Sequence, residues 1–141
     1  MALVRIDGIN FTYAGAKKSA LINASFEINE GEYVLLTGAS GCGKTTLIRQ
    51  IKPELTPAGA REGSITYDGV AIESLNTKRA AAEIGFVQQN PDNQIVTDYV
   101  WHELAFGLEC MGLSVGVIRR RVAEMAAFFG MESWFRNKTY A

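Results

Sequence analysis

Apolar and polar residues alternate along Leu3-Val4-Arg5-Ile6-Asp7-Gly8-Ile9-Asn10-Phe11, and again along Ala24-Ser25-Phe26-Glu27-Ile28-Asn29. A period of two puts one set of side chains on one face, so each stretch predicts a half-buried strand of an antiparallel sheet. The pattern changes after the turn-like Asn29-Glu30-Gly31-Glu32. Tyr33-Val34-Leu35-Leu36-Thr37 is apolar without alternation, which predicts a strand covered by helices on both faces. This run leads into a glycine-rich stretch. Beyond it, Leu47, Ile48 and Ile51 stand at helical spacing within Thr45 to Ile51, and Pro53 closes that helix. Gly63 to Gly69 predicts a strand ending in an Asp68-Gly69 turn, and Ile84-Gly85-Phe86-Val87 a further short strand.

From Thr97 onward the spacing becomes helical. One helix is expected from Tyr99 to Met111 and a second, N-capped by Ser114, running to Phe129. In the second helix Val115, Ile118, Val122, Met125 and Phe129 recur every three or four residues and predict its buried stripe. Arg119, Arg120, Arg121 and Glu124 fill the other positions, so the arginines read as a solvated face rather than a binding patch. No repeat, low-complexity tract or linker interrupts the chain.

A length of 141 residues suits one ordinary domain with a core of its own. With 14 Lys and Arg against 15 Asp and Glu, the net charge of −1 supplies no broad attraction to nucleic acid, and no nucleic-acid partner is expected. Any phosphate binding must come from a local site. Two cysteines, Cys42 and Cys110, lack metal-ligand spacing and make no disulfide framework, which points to a reducing, cytoplasmic setting. No signal-peptide pattern opens the chain, and no window approaches the roughly 20 apolar residues of a membrane span.

The candidate chemistry lies in Gly38-Ala39-Ser40-Gly41-Cys42-Gly43-Lys44-Thr45. Chance gives a chain of this length a Gly-x-x-x-x-Gly-Lys-[Ser/Thr] match about one time in two hundred. Its place after an apolar run and before a helix is the setting of a phosphate-binding P-loop, the Walker A motif. Gly41 and Gly43 can take positive φ, so successive N–H groups can turn inward around a phosphate, and the helix N-terminus adds partial positive charge. Lys44 is expected to reach the β- and γ-phosphates of a nucleotide, and the Thr45 hydroxyl to ligate Mg²⁺. Thr46 follows in the same turn and completes the candidate nucleotide-binding set. Cys42 contributes backbone here, and a reactive-thiol role is not assigned to it. Asn137-Lys138-Thr139-Tyr140 begins like a guanine-recognition motif but has tyrosine where the carboxylate is needed.

Several segments together resemble the ATP-binding subunits of ABC transporters, over nearly the whole chain. Ile9-Asn10-Phe11-Thr12-Tyr13 looks like the family's leading strand, Gly63 to Gly69 like the strand and turn after its P-loop helix, and Ile84 to Pro91 like its Q-loop. The stretch Gln89-Asn90-Pro91-Asp92-Asn93-Gln94-Ile95-Val96, with Ala105-Phe106-Gly107-Leu108 and Met111-Gly112-Leu113-Ser114, is most similar to energy-coupling-factor and cobalt-type importer ATPases. The resemblance implies a P-loop (RecA-like) α/β core with an antiparallel β subdomain over residues 1–90, and a Q-loop continuation with most of an α-helical subdomain over 91–141. It implies that Tyr13 stacks on adenine, the alternative being a tyrosine packed at a strand end. It implies that Gln89, preceding Asn90-Pro91, approaches Mg²⁺ and the attacking water, with Gln88 as the alternative.

The same resemblance implies ATP and Mg²⁺ as cofactors and a second ATPase subunit, identical or not. It also implies a transmembrane component received in a groove near the Q-loop, and a place on the cytoplasmic face of the membrane. Trp101, Phe106, Phe128, Phe129, Trp134 and Phe135 are expected to divide between internal packing and that groove. His102 is expected to be a surface or packing residue. The family's signature motif, Walker B aspartate and catalytic glutamate have no counterpart before Ala141. A missing general base typically costs about 10² to 10⁴ in rate, so this chain is expected to bind Mg-ATP weakly and not to hydrolyse it, and an open sheet edge to favour self-association. The parent is expected to energise uptake of a vitamin or metal ion; a non-hydrolysing regulatory module is the alternative.

Overall fold

β1 (Ala2–Tyr13) lies between β2 (Leu21–Asn29) and β3 (Gly59–Tyr67) and pairs antiparallel with both. The predicted alternation is realised, with Val4, Ile6, Ile9 and Phe11 all buried. Two of these positions are even and two odd, which a regular strand would send to opposite faces. The register shifts between Ile6 and Ile9 against β2, and between Asp7 and Asn10 against β3, absorb the change of phase. β3 turns through Asp68 and Gly69 into β4 (Val70–Ala71), with Tyr67 opposite Val70. Both turn residues have positive φ, 49° and 74°, as a two-residue hairpin requires, and Asp-Gly meets that demand.

The sheet order is β2-β1-β3-β4. Leu47 from α1 (Lys44–Ile51) joins the core, together with Leu21, Ile65, Tyr67, Ile72, Leu75 and Ala80. Ala80 belongs to α2 (Thr77–Glu83), whose start is set by Asn76 accepting from the N–H groups of Lys78 and Arg79 at 2.9 and 3.4 Å.

The computed structural model describes residues 2–140 and divides into two compact units, the first ending at Ile84 and the second beginning at Gly85. Within the second, α3 (Val100–Cys110) and α4 (Val115–Phe128) pack through Ala105, Val122 and Ala126. Their bounds fall within a residue or so of the predicted ones. The segment after α4 returns to the start of α3. Asn137 and Phe135 carbonyls accept from the N–H groups of Val100 and Trp101, each at 3.1 Å, satisfying donors that a helix N-terminus leaves free.

Three expectations need correction. Tyr33–Thr37 is not a strand: Tyr33 is 94% and Leu35 74% exposed, and no strand among the described residues lies alongside to complete a ladder. Ile84–Val87 likewise forms no strand, for the same want of a neighbour. The α4 stripe is narrower than its periodicity predicts, because only Val122 and Ala126 are fully covered, and Val115, Met125 and Phe129 remain exposed. Ser114 occupies the N-cap position without a side-chain capping bond.

Candidate functional site

α1 begins where it does because Gly43 can adopt a φ of 98° and carries no Cβ. A Cβ there would lie 2.7 Å from the Ala20 carbonyl oxygen and 3.0 Å from Leu21 Cδ2, so the loop is seated directly against the start of β2. Gly38 and Gly41 also have positive φ, 151° and 79°. Between them the chain reverses, with Cys42 N–H donating to the Ala39 carbonyl at 3.3 Å.

Lys44 curls back over this loop. Its Nζ donates to the Gly38 and Ala39 carbonyls, both at 2.8 Å, and lies 3.7 Å from Cys42 Sγ. The first helical N–H to find a partner is that of Leu47, bonded to the Gly43 carbonyl at 2.9 Å. The N–H groups of Lys44, Thr45 and Thr46 precede it and carry the partial positive charge of a helix N-terminus. Thr45 is exposed beside them, as are Ala39, Ser40, Gly41 and Cys42. Thr46 is buried, and its hydroxyl shares a 2.7 Å hydrogen bond with the Tyr13 phenol. The Tyr13 ring stands edge-on to Phe11, centroids 5.0 Å apart, and stays 38% exposed. Tyr13 thus packs at the strand end while keeping ring surface open.

Chemically this arrangement can receive an anion. The Lys44 ammonium, the amide N–H groups ahead of the helical ladder and the exposed Thr45 hydroxyl belong to one turn, and among the described residues no carboxylate is bonded to any of Gly38 to Thr46. A polyphosphate with its hard divalent cation fits that donor set, since the cation takes oxygen ligands and the Thr45 hydroxyl offers one.

Gln89, Asn90 and Pro91 belong to the second unit. Gln89 is exposed at the tip of an irregular loop, and Pro91–Gln94 forms a 3₁₀ turn behind it. Sequence reasoning missed Gln94, whose carboxamide accepts from Gln88 N–H at 2.7 Å and donates to the Phe86 carbonyl at 3.0 Å. It also missed Glu103, which accepts from the N–H groups of Val96 and Thr97 and from the Thr97 hydroxyl at 3.1, 2.8 and 2.9 Å. The only signal for either was a polar side chain several residues from an unpaired backbone segment, which no local periodicity reveals. Trp101, Phe106, Phe128, Phe129 and Trp134 are exposed, whereas Phe135 is half-buried. His102 stacks on Trp101 and faces Glu109 at 3.5 Å. Cys42 and Cys110 are free thiols, and no cluster of metal-ligating side chains occurs among the described residues.

Comparison with known proteins defines the class. The family model described as ABC transporter matches residues 21–140. A Bacillus cereus protein named as an ABC transporter ATP-binding protein is 43% identical over 140 residues, 99% of this chain and 25% of its own length. An energy-coupling factor transporter ATP-binding protein of Ligilactobacillus salivarius is 38% identical over 94% of this chain and 46% of its own. The cobalt import ATP-binding protein of Syntrophus aciditrophicus is 34% identical over 96% of this chain and 48% of its own. Among solved structures, CbiO1 of Clostridium perfringens, part of the ABC transporter complex CbiONQ, superposes with a TM-score of 0.83 at 27% identity, over 99% of this chain and 55% of that one.

The chain belongs to the ABC transporter family, and its relatives include ATP-binding proteins of the energy-coupling-factor and cobalt-import types. Its fold is that of the ABC ATPase domain, a mixed α/β architecture of antiparallel sheet and helices. It spans between a quarter and a half of the length of these curated relatives. No helix among the described residues is long and apolar enough to cross a membrane.

Proposed function

We propose that this chain holds Mg-ATP on Gly38–Thr45, as the nucleotide-binding part of an ATPase that energises import of a metal ion or vitamin. The observation that carries the proposal is the loop itself. Positive-φ glycines, a lysine folded over the loop carbonyls and N–H groups ahead of the first helical bond together make an anion cradle. In this reading the backbone of Gly38 to Gly43 and the Lys44 ammonium hold the phosphates, with Thr46 supporting the turn. Thr45 gives the Mg²⁺ an oxygen, and the ion when bound offsets charge on the phosphate oxygens. The exposed face of Tyr13 is the platform for the base. Gln89 is proposed to be the residue that senses the ion and the attacking water.

The membrane-embedded partner, a second ATPase subunit and a cytoplasmic, membrane-peripheral location are proposed from the relatives' names and from the exposed aromatic residues of the second unit. The chain by itself is proposed to bind Mg-ATP without turning it over. A thermal melt tests the binding claim: at 100 times the dissociation constant, Mg-ATP should stabilise the first unit by about 2.7 kcal/mol. An unchanged melt at millimolar Mg-ATP speaks against it.

A further inference from the structure

We infer that Lys17 and Lys18 form a further part of the nucleotide site and supply positive charge to the phosphate next to the ribose. The inference rests on the proposed seating of Mg-ATP, with its terminal phosphates on Gly38–Thr45 and its base on Tyr13. Both lysines lie in the loop that joins β1 to β2, and each stem of that loop is fixed to the anion cradle. At one stem the Tyr13 phenol shares a 2.7 Å hydrogen bond with the Thr46 hydroxyl. At the other, Ala20 and Leu21 meet Gly43 so closely that a Cβ on the glycine would lie 2.7 Å from the Ala20 carbonyl oxygen.

Between the stems the loop is held by its own backbone. Ala14 N–H donates to the Ala58 carbonyl at 3.1 Å, Ala16 N–H to the Tyr13 carbonyl at 3.0 Å and Ala20 N–H to the Phe11 carbonyl at 2.7 Å. Gly15 takes a φ of 76° in the turn that the Ala16 bond closes. Lys18 precedes Ala20 by two residues, which keeps their Cα atoms within about 7 Å, and its flexible four-carbon stem carries the ammonium further. Both lysines are exposed, and Ala14 to Ala20 carries no carboxylate. Neither lysine enters an ion pair among the described residues. A nucleotide with its β-phosphate in the glycine loop and its base on Tyr13 carries its α-phosphate and ribose between the two, alongside this loop. Lys44 is engaged elsewhere, with its ammonium on the Gly38 and Ala39 carbonyls. The α-phosphate is the charged group on that path, and the lysine pair meets it with opposite charge.

The test is calorimetric titration of the 141-residue chain with ATP and with ADP, each with Mg²⁺, beside Lys17→Gln, Lys18→Gln, the double variant Lys17→Gln/Lys18→Gln and Lys78→Gln. Salt is kept near 0.15 M, where charges more than about 8 Å apart are largely screened. Lys78 is an exposed lysine on α2 of the same unit and controls for net charge. Because Lys17 and Lys18 are exposed, thermal melts without nucleotide should not change. The double variant should lose about fivefold or more in affinity, the size of one good exposed ion pair, with the single variants sharing the loss. ATP and ADP should lose equally, since both carry the α-phosphate. Lys78→Gln should bind as the wild type does. Wild-type affinity in the double variant, an equal loss in Lys78→Gln, or a loss for ATP without one for ADP would overturn the inference and leave the nucleotide-site reading standing. If the wild-type chain binds neither nucleotide, that reading fails and the inference falls with it.

Discussion

The Tyr13 phenol and the Thr46 hydroxyl lie 2.7 Å apart and join the end of β1 to the first turn of α1. The bond ties the turn that follows the glycine loop to the sheet, and the tyrosine still keeps ring surface exposed. Tyr13→Phe separates the two roles. Losing the bond should cost about 1 kcal/mol in urea unfolding, while the retained ring keeps ATP affinity within about twofold. Tyr13→Ala should lose about 1–3 kcal/mol of binding more, by analogy with base stacking on aromatic side chains. Equal affinities of the two variants would remove Tyr13 from the base site.

Gly43→Ala and Gly41→Ala make a second comparison. Both positions have positive φ, but only at Gly43 would a Cβ meet backbone, 2.7 Å from the Ala20 carbonyl oxygen; at Gly41 nothing lies within 4 Å. Backbone strain alone should cost about 1–3 kcal/mol at either site. Thermal unfolding should show Gly43→Ala clearly the more damaging.

Glu103 links pH to the second unit. Burial pushes its carboxyl up, but the Thr97 and Val96 N–H groups and the Thr97 hydroxyl, with His102 nearby, outweigh that and lower it from the ordinary 4.5. Because the folded pKa lies below the unfolded one, Glu103 contributes stability above about pH 4.5, lost as pH falls through the folded value. Both tryptophans, Trp101 and Trp134, lie in this unit. Their fluorescence should report weaker resistance to urea below pH 4.5 in the wild type and a flatter profile in Glu103→Gln.

Gln50 is 0% exposed, and its Nε2 has no hydrogen-bond partner among the described residues. Its Oε1 receives only a 3.4 Å bond from Arg61, which also pairs with Glu73. Replacing an unpaired buried donor with an apolar group of similar shape removes a desolvation penalty, so Gln50→Met should be neutral or stabilising by about 1 kcal/mol. Chemical denaturation measures this directly.

What the sequence made legible follows from the range of each interaction. β1, β2, the Asp68-Gly69 turn, α1, α3 and α4 are written in local periodicity, turn chemistry and caps, and all were read from them. α2 was not, because Thr77–Glu83 has little apolar stripe and depends on the Asn76 cap and a single buried Ala80. Tyr33–Thr37 was misread because an apolar run records what a segment can bury, whereas a strand also needs a neighbour to bond. The glycine loop was legible as a motif, since its residues are contiguous. The Gln94 bonds, the Glu103 bonds and the Tyr13–Thr46 contact were not, since each joins positions that only folding brings together.

Calorimetric titration of the chain with Mg-ATP, beside Lys44→Ala, tests the nucleotide-site reading most directly. The account predicts saturable binding to one site, and a loss of at least about tenfold in affinity when the ammonium over Gly38 and Ala39 is removed, as a charge-assisted bond worth about 1.5–3 kcal/mol implies. No heat from the wild-type chain, or equal binding by Lys44→Ala, would contradict it.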